Sequence, residues 1–243
     1  MFGQANRGKA VSVWQRIGDF VGSFSQGTGL VGSVGAALDP DNWLPGGRDA
    51  AFTLALVALS AKMAVADGVV TNSEIRAFRD MVEIPPGAEA QIERLFDLAQ
   101  QDVAGYDSYA RKIGRLFADR PATLEHVLGS LFNIAAADGM IHENELEYLK
   151  SVSDIFGFDE ARFEQISAAF LVENDGVDPY LVLGMMPNTT DEEVLRVYRS
   201  LVLEHHPDRL IAKGVPEEML KLATGRMAAI NAAYDAIARA RGL

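Results

Sequence analysis

The chain contains no cysteine. That absence excludes a disulfide scaffold, a thiol nucleophile, an iron–sulfur cluster and a thiolate zinc site. It is in keeping with a reducing compartment. Bases are few relative to acids: 22 Lys and Arg stand against 34 Asp and Glu, a formal net charge of −12. Such a chain lacks the broad basic face that phosphate backbones require, so nucleic acid is not an expected partner. Sustained two-residue alternation is missing, and no strand is expected. There is no Gly-rich phosphate loop and no recognisable nucleophile constellation, which argues against an enzyme. What remains is an ordinary globular composition, 49% hydrophobic and 23% charged over 243 residues. That length suits one or two domains of roughly 100–200 residues each.

The charge is unevenly placed. Residues 1–47 carry three acids and three bases, residues 48–176 carry 22 acids and 11 bases, and residues 177–243 carry nine acids and eight bases. Ten of the 22 glycines fall in the first 47 positions. These shifts divide the chain into a Gly-rich leader (1–47), an acidic middle domain (48–176) and a small C-terminal domain (177–243).

In the leader, Val13, Trp14, Ile17, Phe20, Val21 and Phe24 recur at three- and four-residue spacing, an amphipathic helix pattern. Gly18 and Gly22 weaken it by about 1 kcal/mol each relative to alanine. The apolar run from Thr28 to Leu38 is too short to span a bilayer, which takes about 20 residues. Two readings stay open: a helix that contacts a membrane surface or partner through residues 10–38, and an arm packed on the protein's own surface.

The middle domain reads as all-helical. Arg48 to Ala66 is apolar apart from Arg48 and Asp49 at its start and Lys62 within it, long enough for a transmembrane reading, but it leads directly into a repeat. Further helices are expected at about 72–83, 87–103, 106–118, 121–137, 142–156 and 159–172. The repeat sets Ala66-Asp67-Gly68-Val69-Val70-Thr71-Asn72-Ser73-Glu74 against Ala137-Asp138-Gly139-Met140-Ile141-His142-Glu143-Asn144-Glu145. Glycine after Asp permits the positive φ that ends a helix. Val70 or Ile141 then turns toward the core. Thr71 with Glu74 forms a capping box; His142 in the second copy is a poorer cap.

This doubled Asp-Gly-x-Ile/Val-x-x-x-Glu pattern resembles the TerB-like domain, a helical family linked to tellurite resistance and found in DjlA-type co-chaperones. The resemblance covers about residues 48–173. It implies that Asp67, Glu74, Asp138 and Glu145 form a site for a divalent cation, since hard cations take several converging oxygens. The alternative is that Asp67 and Asp138 close turns while Glu74 and Glu145 cap helices. The loops lack the alternating acids of an EF-hand.

The C-terminal segment opens with Asp178-Pro179-Tyr180-Leu181-Val182-Leu183-Gly184, a short helix with an Asp cap, Pro in the first turn and Gly at its end. Thr190 and Glu193 form a capping-box signature for a second helix, whose apolar stripe is Val194, Val197, Tyr198, Leu201 and Val202. Arg196 and Arg199 lie off the stripe, toward solvent. Pro207 stops the helix, so His206, Pro207 and Asp208 are expected on an exposed turn. A third helix is expected from Pro216 to about Ala240, with Met219, Ala223, Met227, Ile230, Tyr234 and Ile237 inward. The two long helices must run antiparallel to bury both stripes.

The Asp-Pro-Tyr-x-x-Leu-Gly start, Tyr198-Arg199, His206-Pro207-Asp208 and Ile230-Asn231-x-Ala-Tyr234 together resemble a J-domain over residues 177–243. The stretch from Leu210 to Met219, and a TerB-like domain ahead of a C-terminal J-domain, resemble DjlA-type proteins in particular. The fold class expected is therefore all-α, a TerB-like helical domain plus a small J-domain built on an antiparallel helix pair.

The resemblance implies a co-chaperone that docks on a DnaK-type heat-shock ATPase and stimulates its hydrolysis, with no covalent chemistry of its own. It implies that His206, Pro207 and Asp208 form the trigger. Asp208 would engage a partner arginine, while Arg196, Arg199 and Arg209 steer the second helix and Tyr198 belongs to the same face. Leu195 and Ser200 stand where many J-domains carry further bases, which weakens the docking face. The alternative function is a metal-sensing stress protein in which the acidic domain gates the J-domain. No resident cofactor is expected beyond the divalent cation above. The client is undetermined. A cytoplasmic location is expected, with residues 10–38 as the segment able to touch the inner face of the membrane.

Overall fold

The protein is described by a computed structural model covering residues 56–63, 73, 76–78, 90, 93, 105–170, 178–212 and 221–243. The leader, the first copy of the repeat up to Asn72, and most of the helices expected at 72–83 and 87–103 lie outside the described residues. All regular structure among the described residues is helical. Residues 56–63 are helical, followed by α1 (Tyr106–Leu116), α2 (Pro121–Ala135), α3 (Glu143–Phe156) and α4 (Glu160–Phe170). The C-terminal domain adds α5 (Pro179–Leu183), α6 (Asp191–His205), α7 (Pro207–Ala212) and α8 (Lys221–Arg241).

The expected helices at 106–118, 121–137 and 142–156 are present, with ends that differ by up to two residues. The chain leaves α2 through a single 3₁₀ turn, Ala136–Asp138. Gly139 then takes φ +96°. This is the left-handed break that the Asp-Gly pair of the repeat leads one to expect.

Helix α2 is the centre of the molecule. Apart from Pro121 at its start and the half-buried Asn133, every one of its residues is buried. A helix apolar on all faces needs cover on all faces. It packs against α3, α4 and the C-terminal α8. Residues 56–63, the described part of the long apolar stretch, are likewise packed inside: Leu56, Val57, Leu59, Ala61 and Met63 are buried. The Tyr148 hydroxyl, on α3, donates to the Leu59 carbonyl at 2.8 Å, tying the two elements together. No helix among the described residues is long and apolar enough to cross a membrane.

In the C-terminal domain α6 and α8 run antiparallel, as their chain contacts require. Asp191 at the start of α6 meets Arg241 at the end of α8, and Tyr198 in mid-α6 meets Asn231 and Tyr234. Val194, Leu201, Ile230 and Ile237 fill the space between them. The same core takes in Ala168 and Ala169 from α4. The last turn of α4, from the middle domain, is therefore packed into the core of the C-terminal domain. The buried positions of α8 are accordingly broader than a single stripe: Arg226, Ala229 and Ala233 are buried beside Ile230 and Ile237, and Met227 and Tyr234 are only half-buried. A helix covered by two neighbours needs two inward faces.

Candidate functional site

The start of the C-terminal domain is fixed locally. The Asp178 carboxylate accepts from the Tyr180 N–H at 2.9 Å and caps α5. Gly184 ends the helix at φ +68°. Thr190 Oγ1 accepts from the Glu193 N–H at 3.3 Å to start α6, and Asp191, Glu192 and Glu193 crowd its first turn, where the helix dipole favours negative charge. Arg241 closes the far end. Its guanidinium donates to the carbonyls of Pro187 and Thr189 and to Asp191 Oδ1, at 2.6–2.8 Å, and its Nε donates to the Tyr180 hydroxyl. The Asp191 carboxylate, and after it the Tyr180 hydroxyl, hold its pKa above the ordinary value.

This frame presents the tripeptide. Helix α6 ends at His205, and His206 is extended, φ −62° and ψ 132°. In place of the expected exposed turn, the break is one residue long: Pro207 occupies the first position of α7 and Asp208 the second. Proline lacks an N–H, and the first helical position is where none is needed. The Asp208 N–H donates to His206 Nδ1 at 3.2 Å. In the neutral ring, with Nδ1 accepting, the imidazole proton is on Nε2; the Asp208 carboxylate Oδ2 lies 3.7 Å from the same Nδ1. The side chains of His206 and Asp208 are 48% and 86% exposed.

Along α6, Arg196 and Arg199 are exposed, as expected. Arg196 is tied to Glu193 one turn back; its Nε donates to Glu193 Oε2 at 2.8 Å. The pair lowers the Glu193 pKa and raises that of Arg196. Arg209 is exposed, and its Nη1 donates to the Leu203 carbonyl at 3.3 Å. Exposed Leu203 and Ile211 lie close to the tripeptide in sequence, one on α6 and one on α7. Tyr198 sits differently from the arginines. It is half-buried, stacked on Tyr234 at a centroid distance of 4.0 Å, with its hydroxyl donating to Asn231 Oδ1 at 3.1 Å. The structure thus places Tyr198 in the packing between α6 and α8.

His205, His206 and Asp208 do not converge on one point. His205 is wholly buried and faces the middle domain. Its Nδ1 lies 3.1 Å from His126 Nε2 on α2, and the rings meet edge-on at 5.0 Å. One nitrogen must donate and the other accept. Beside them, Glu125 Oε2 is 3.7 Å from His205 Nε2. Glu125 Oε1 accepts from Arg162 Nε of α4 at 2.9 Å. Arg162 Nη1 donates to Gln165 Oε1 at 2.6 Å, Gln165 Nε2 donates to the Val182 carbonyl at 3.2 Å, and Arg226 Nη1 donates to the Gln165 carbonyl at 3.4 Å. Burial raises the Glu125 pKa against the opposing pull of Arg162, and burial pushes the Arg226 guanidinium down to about 10.

Sequence reasoning missed this cluster. A signal existed: Glu125 and His126 interrupt an otherwise apolar helix, and Arg226 lies beside its own apolar stripe. Nothing in the sequence paired them, because the partners stand 37, 61 and 79 positions apart.

Of the four acids suggested for a cation, Asp67, Glu74 and the side chain of Asp138 lie outside the described residues. Glu145 is buried, and its Oε2 accepts from the His142 N–H at 2.8 Å, the return half of a capping box. That is the capping alternative for Glu145. Among the described residues no three His, Asp or Glu side chains are grouped to hold a metal ion.

Two parts of the chain match two family models. Residues 53–168 match "Tellurite resistance protein TerB" and residues 178–241 match "DnaJ domain". A helical TerB-type domain followed by an antiparallel helix pair with an exposed His-Pro-Asp makes this a J-domain protein. Relatives share both parts. The chain is 33% identical over 220 residues to the co-chaperone protein DjlA of Photobacterium profundum, covering 80% of this chain and 79% of that protein. It is 30% identical over 203 residues to the DjlA of Coxiella burnetii, covering 74% of each, and 27% identical over 210 residues to that of Shewanella oneidensis, covering 81% and 80%. The chain belongs to the DjlA family of co-chaperones. No solved structure matches it.

Proposed function

We propose that this chain docks its J-domain on the ATP-bound form of a DnaK-type heat-shock ATPase and stimulates hydrolysis, while the TerB-like domain targets or regulates that action. The observation that carries this reading is the exposed tripeptide at the α6–α7 break, with exposed Arg199 and Arg209 beside it. Asp208 is an exposed carboxylate, 3.7 Å from His206 Nδ1, that can meet a partner guanidinium in a charge-assisted hydrogen bond. His206 offers an outward N–H, and Pro207 holds the break. The chain acts by binding alone. It favours the hydrolysis-competent arrangement of the ATPase by binding that arrangement better than the resting one. The amphipathic stripe within residues 10–38 is the segment by which the protein would touch the inner face of a membrane from the cytoplasm. Fractionation of the full chain against a deletion of residues 1–40 tests that location.

Steady-state ATP turnover by a DnaK-type partner tests the activity. Wild type stimulates; His206→Gln and Asp208→Asn stimulate at least about tenfold less, the loss of one charge-assisted contact. Asp208 is 86% exposed and His206 48%, so thermal unfolding changes by no more than the one local hydrogen bond that His206 Nδ1 accepts. Equal stimulation by wild type and both variants removes the reading.

A further inference from the structure

Beneath the tripeptide, the C-terminal domain is held by the TerB-like domain. His205 is the last residue of α6 and directly precedes His206. Its ring is wholly buried, and one contact that holds it is His126 Nε2 on the almost wholly enclosed α2. An imidazole enclosed in this way cannot rotate without opening that contact. Pro207 prevents α6 from continuing, so the direction in which the chain leaves α6 is set where His205 is pinned.

We propose that the TerB-like domain is a positioning base for the trigger: His126, with Glu125 beside it, holds His205 and thereby orients His206, Pro207 and Asp208 for the partner. This rests on the J-domain reading above and deepens it. His126 touches neither the partner nor the tripeptide and is a positioning residue.

The surrounding geometry agrees. The trigger side chains face solvent while the opposite side of the same helix end is docked, so the arrangement presents the tripeptide and does not cover it. The docking is continuous from His205 to α5, because Gln165 reaches the Val182 carbonyl and a Cβ on Gly184 would come within 2.5 Å of its Nε2. The charged groups around the histidine pair come from α2 (Glu125), α4 (Arg162), α6 (Glu204) and α8 (Arg226).

The test uses the full chain with His126→Leu and His126→Gln. Leucine removes the polar nitrogen, and glutamine keeps a polar atom at nearly the same reach. One readout needs no partner: amide hydrogen exchange across residues 208–212. The other is ATP turnover by a DnaK-type partner as a function of co-chaperone concentration. In His126→Leu, exchange at 208–212 speeds up about 3- to 10-fold and maximal stimulation falls by a similar factor, the worth of one buried hydrogen bond. The half-saturating concentration stays unchanged, because Arg199 and Arg209 are untouched. His126→Gln restores both. A merely destabilised chain behaves otherwise, raising the half-saturating concentration and keeping the maximum. Should the leucine variant not fold, His126→Phe keeps the ring bulk and takes its place. Wild-type exchange and wild-type maximum in the apolar variant overturn the proposal, and so does equal loss with leucine and glutamine. If wild type stimulates no ATPase, the functional reading fails, and the exchange rates alone decide the positioning role.

Discussion

His205 Nδ1 lies 3.1 Å from His126 Nε2, although the residues stand 79 positions apart and belong to different domains. That contact joins the end of the docking helix to the centre of the TerB-like domain. It makes the two domains one packed body around the helix that carries the trigger. Four expected outcomes follow from this arrangement and its neighbours.

The arginines of α6 and α7 differ in how free they are. Arg199 and Arg209 are exposed, Arg209 with one Nη1 on the neutral Leu203 carbonyl, and Arg196 is ion-paired with Glu193. Titrations of ATPase stimulation at low salt are expected to show Arg199→Ala and Arg209→Ala raising the half-saturating concentration more than Arg196→Ala. The differences should shrink at high salt, where screening is short-ranged. A larger effect from Arg196→Ala would mean that its pairing with Glu193 is released on docking.

Glu125 carries a pH signature. Its folded pKa is raised above 4.5 because burial outweighs the Arg162 partner. The folded state therefore holds this proton more tightly than the unfolded state, and ionisation costs it more. As pH rises from 4.5 through the folded pKa, wild type is expected to lose stability relative to Glu125→Gln, and to hold its full share below 4.5. Denaturant unfolding of both proteins from about pH 4 to about pH 7 measures the difference. A gap that widened in the opposite direction would mean that the Arg162 ion pair outweighs burial.

Gly184 is constrained twice. It sits at φ +68°, and a Cβ would fall within 2.5–2.9 Å of the Gln165 side-chain amide. Gln165 cannot withdraw without giving up its bond to the Val182 carbonyl. Gly184→Ala should cost about 1–3 kcal/mol, combining left-handed strain with a lost buried hydrogen bond. Denaturant midpoints of the full chain check this, and a Gln165→Ala background should recover part of the loss.

Tyr148 is buried with its hydroxyl on the Leu59 carbonyl, and burial drives its pKa well above the ordinary phenol range. It stays neutral and donating at any physiological pH. Tyr148→Phe should cost about 1 kcal/mol in equilibrium unfolding, the net worth of one such bond, without altering ATPase stimulation. A change in stimulation would connect this corner of the TerB-like domain to the trigger.

Much of the site was legible because its determinants are local. The caps at Asp178 and Thr190, the stop at Pro207 and the outward Arg196 and Arg199 depend on neighbours within one helical turn, and the structure has them. The repeat's second Asp-Gly likewise gives the positive φ at Gly139. Tyr198 was less legible. Its place on α6 was clear, but its stacking on Tyr234 depends on how α8 crosses, which pattern alone does not specify. The exposed turn expected at 206–208 proved to be one extended residue followed by α7, since Pro207 can begin a helix as readily as it ends one.

The sequence by itself determined an all-helical chain, the family to which its two parts belong, and the tripeptide with its flanking arginines. All of these follow from periodicity, capping and short-range steric rules, together with the motifs that mark the family. Only the tertiary structure decided that the end of α4 packs into the C-terminal core and that His205 turns inward while His206 turns out. It also placed Glu125, His126, Arg162, Gln165 and Arg226 around one buried contact. Apart from Arg162 with Gln165 on the same helix, those pairings span 37 to 79 residues, and a buried polar group takes whatever partner the packing brings to it.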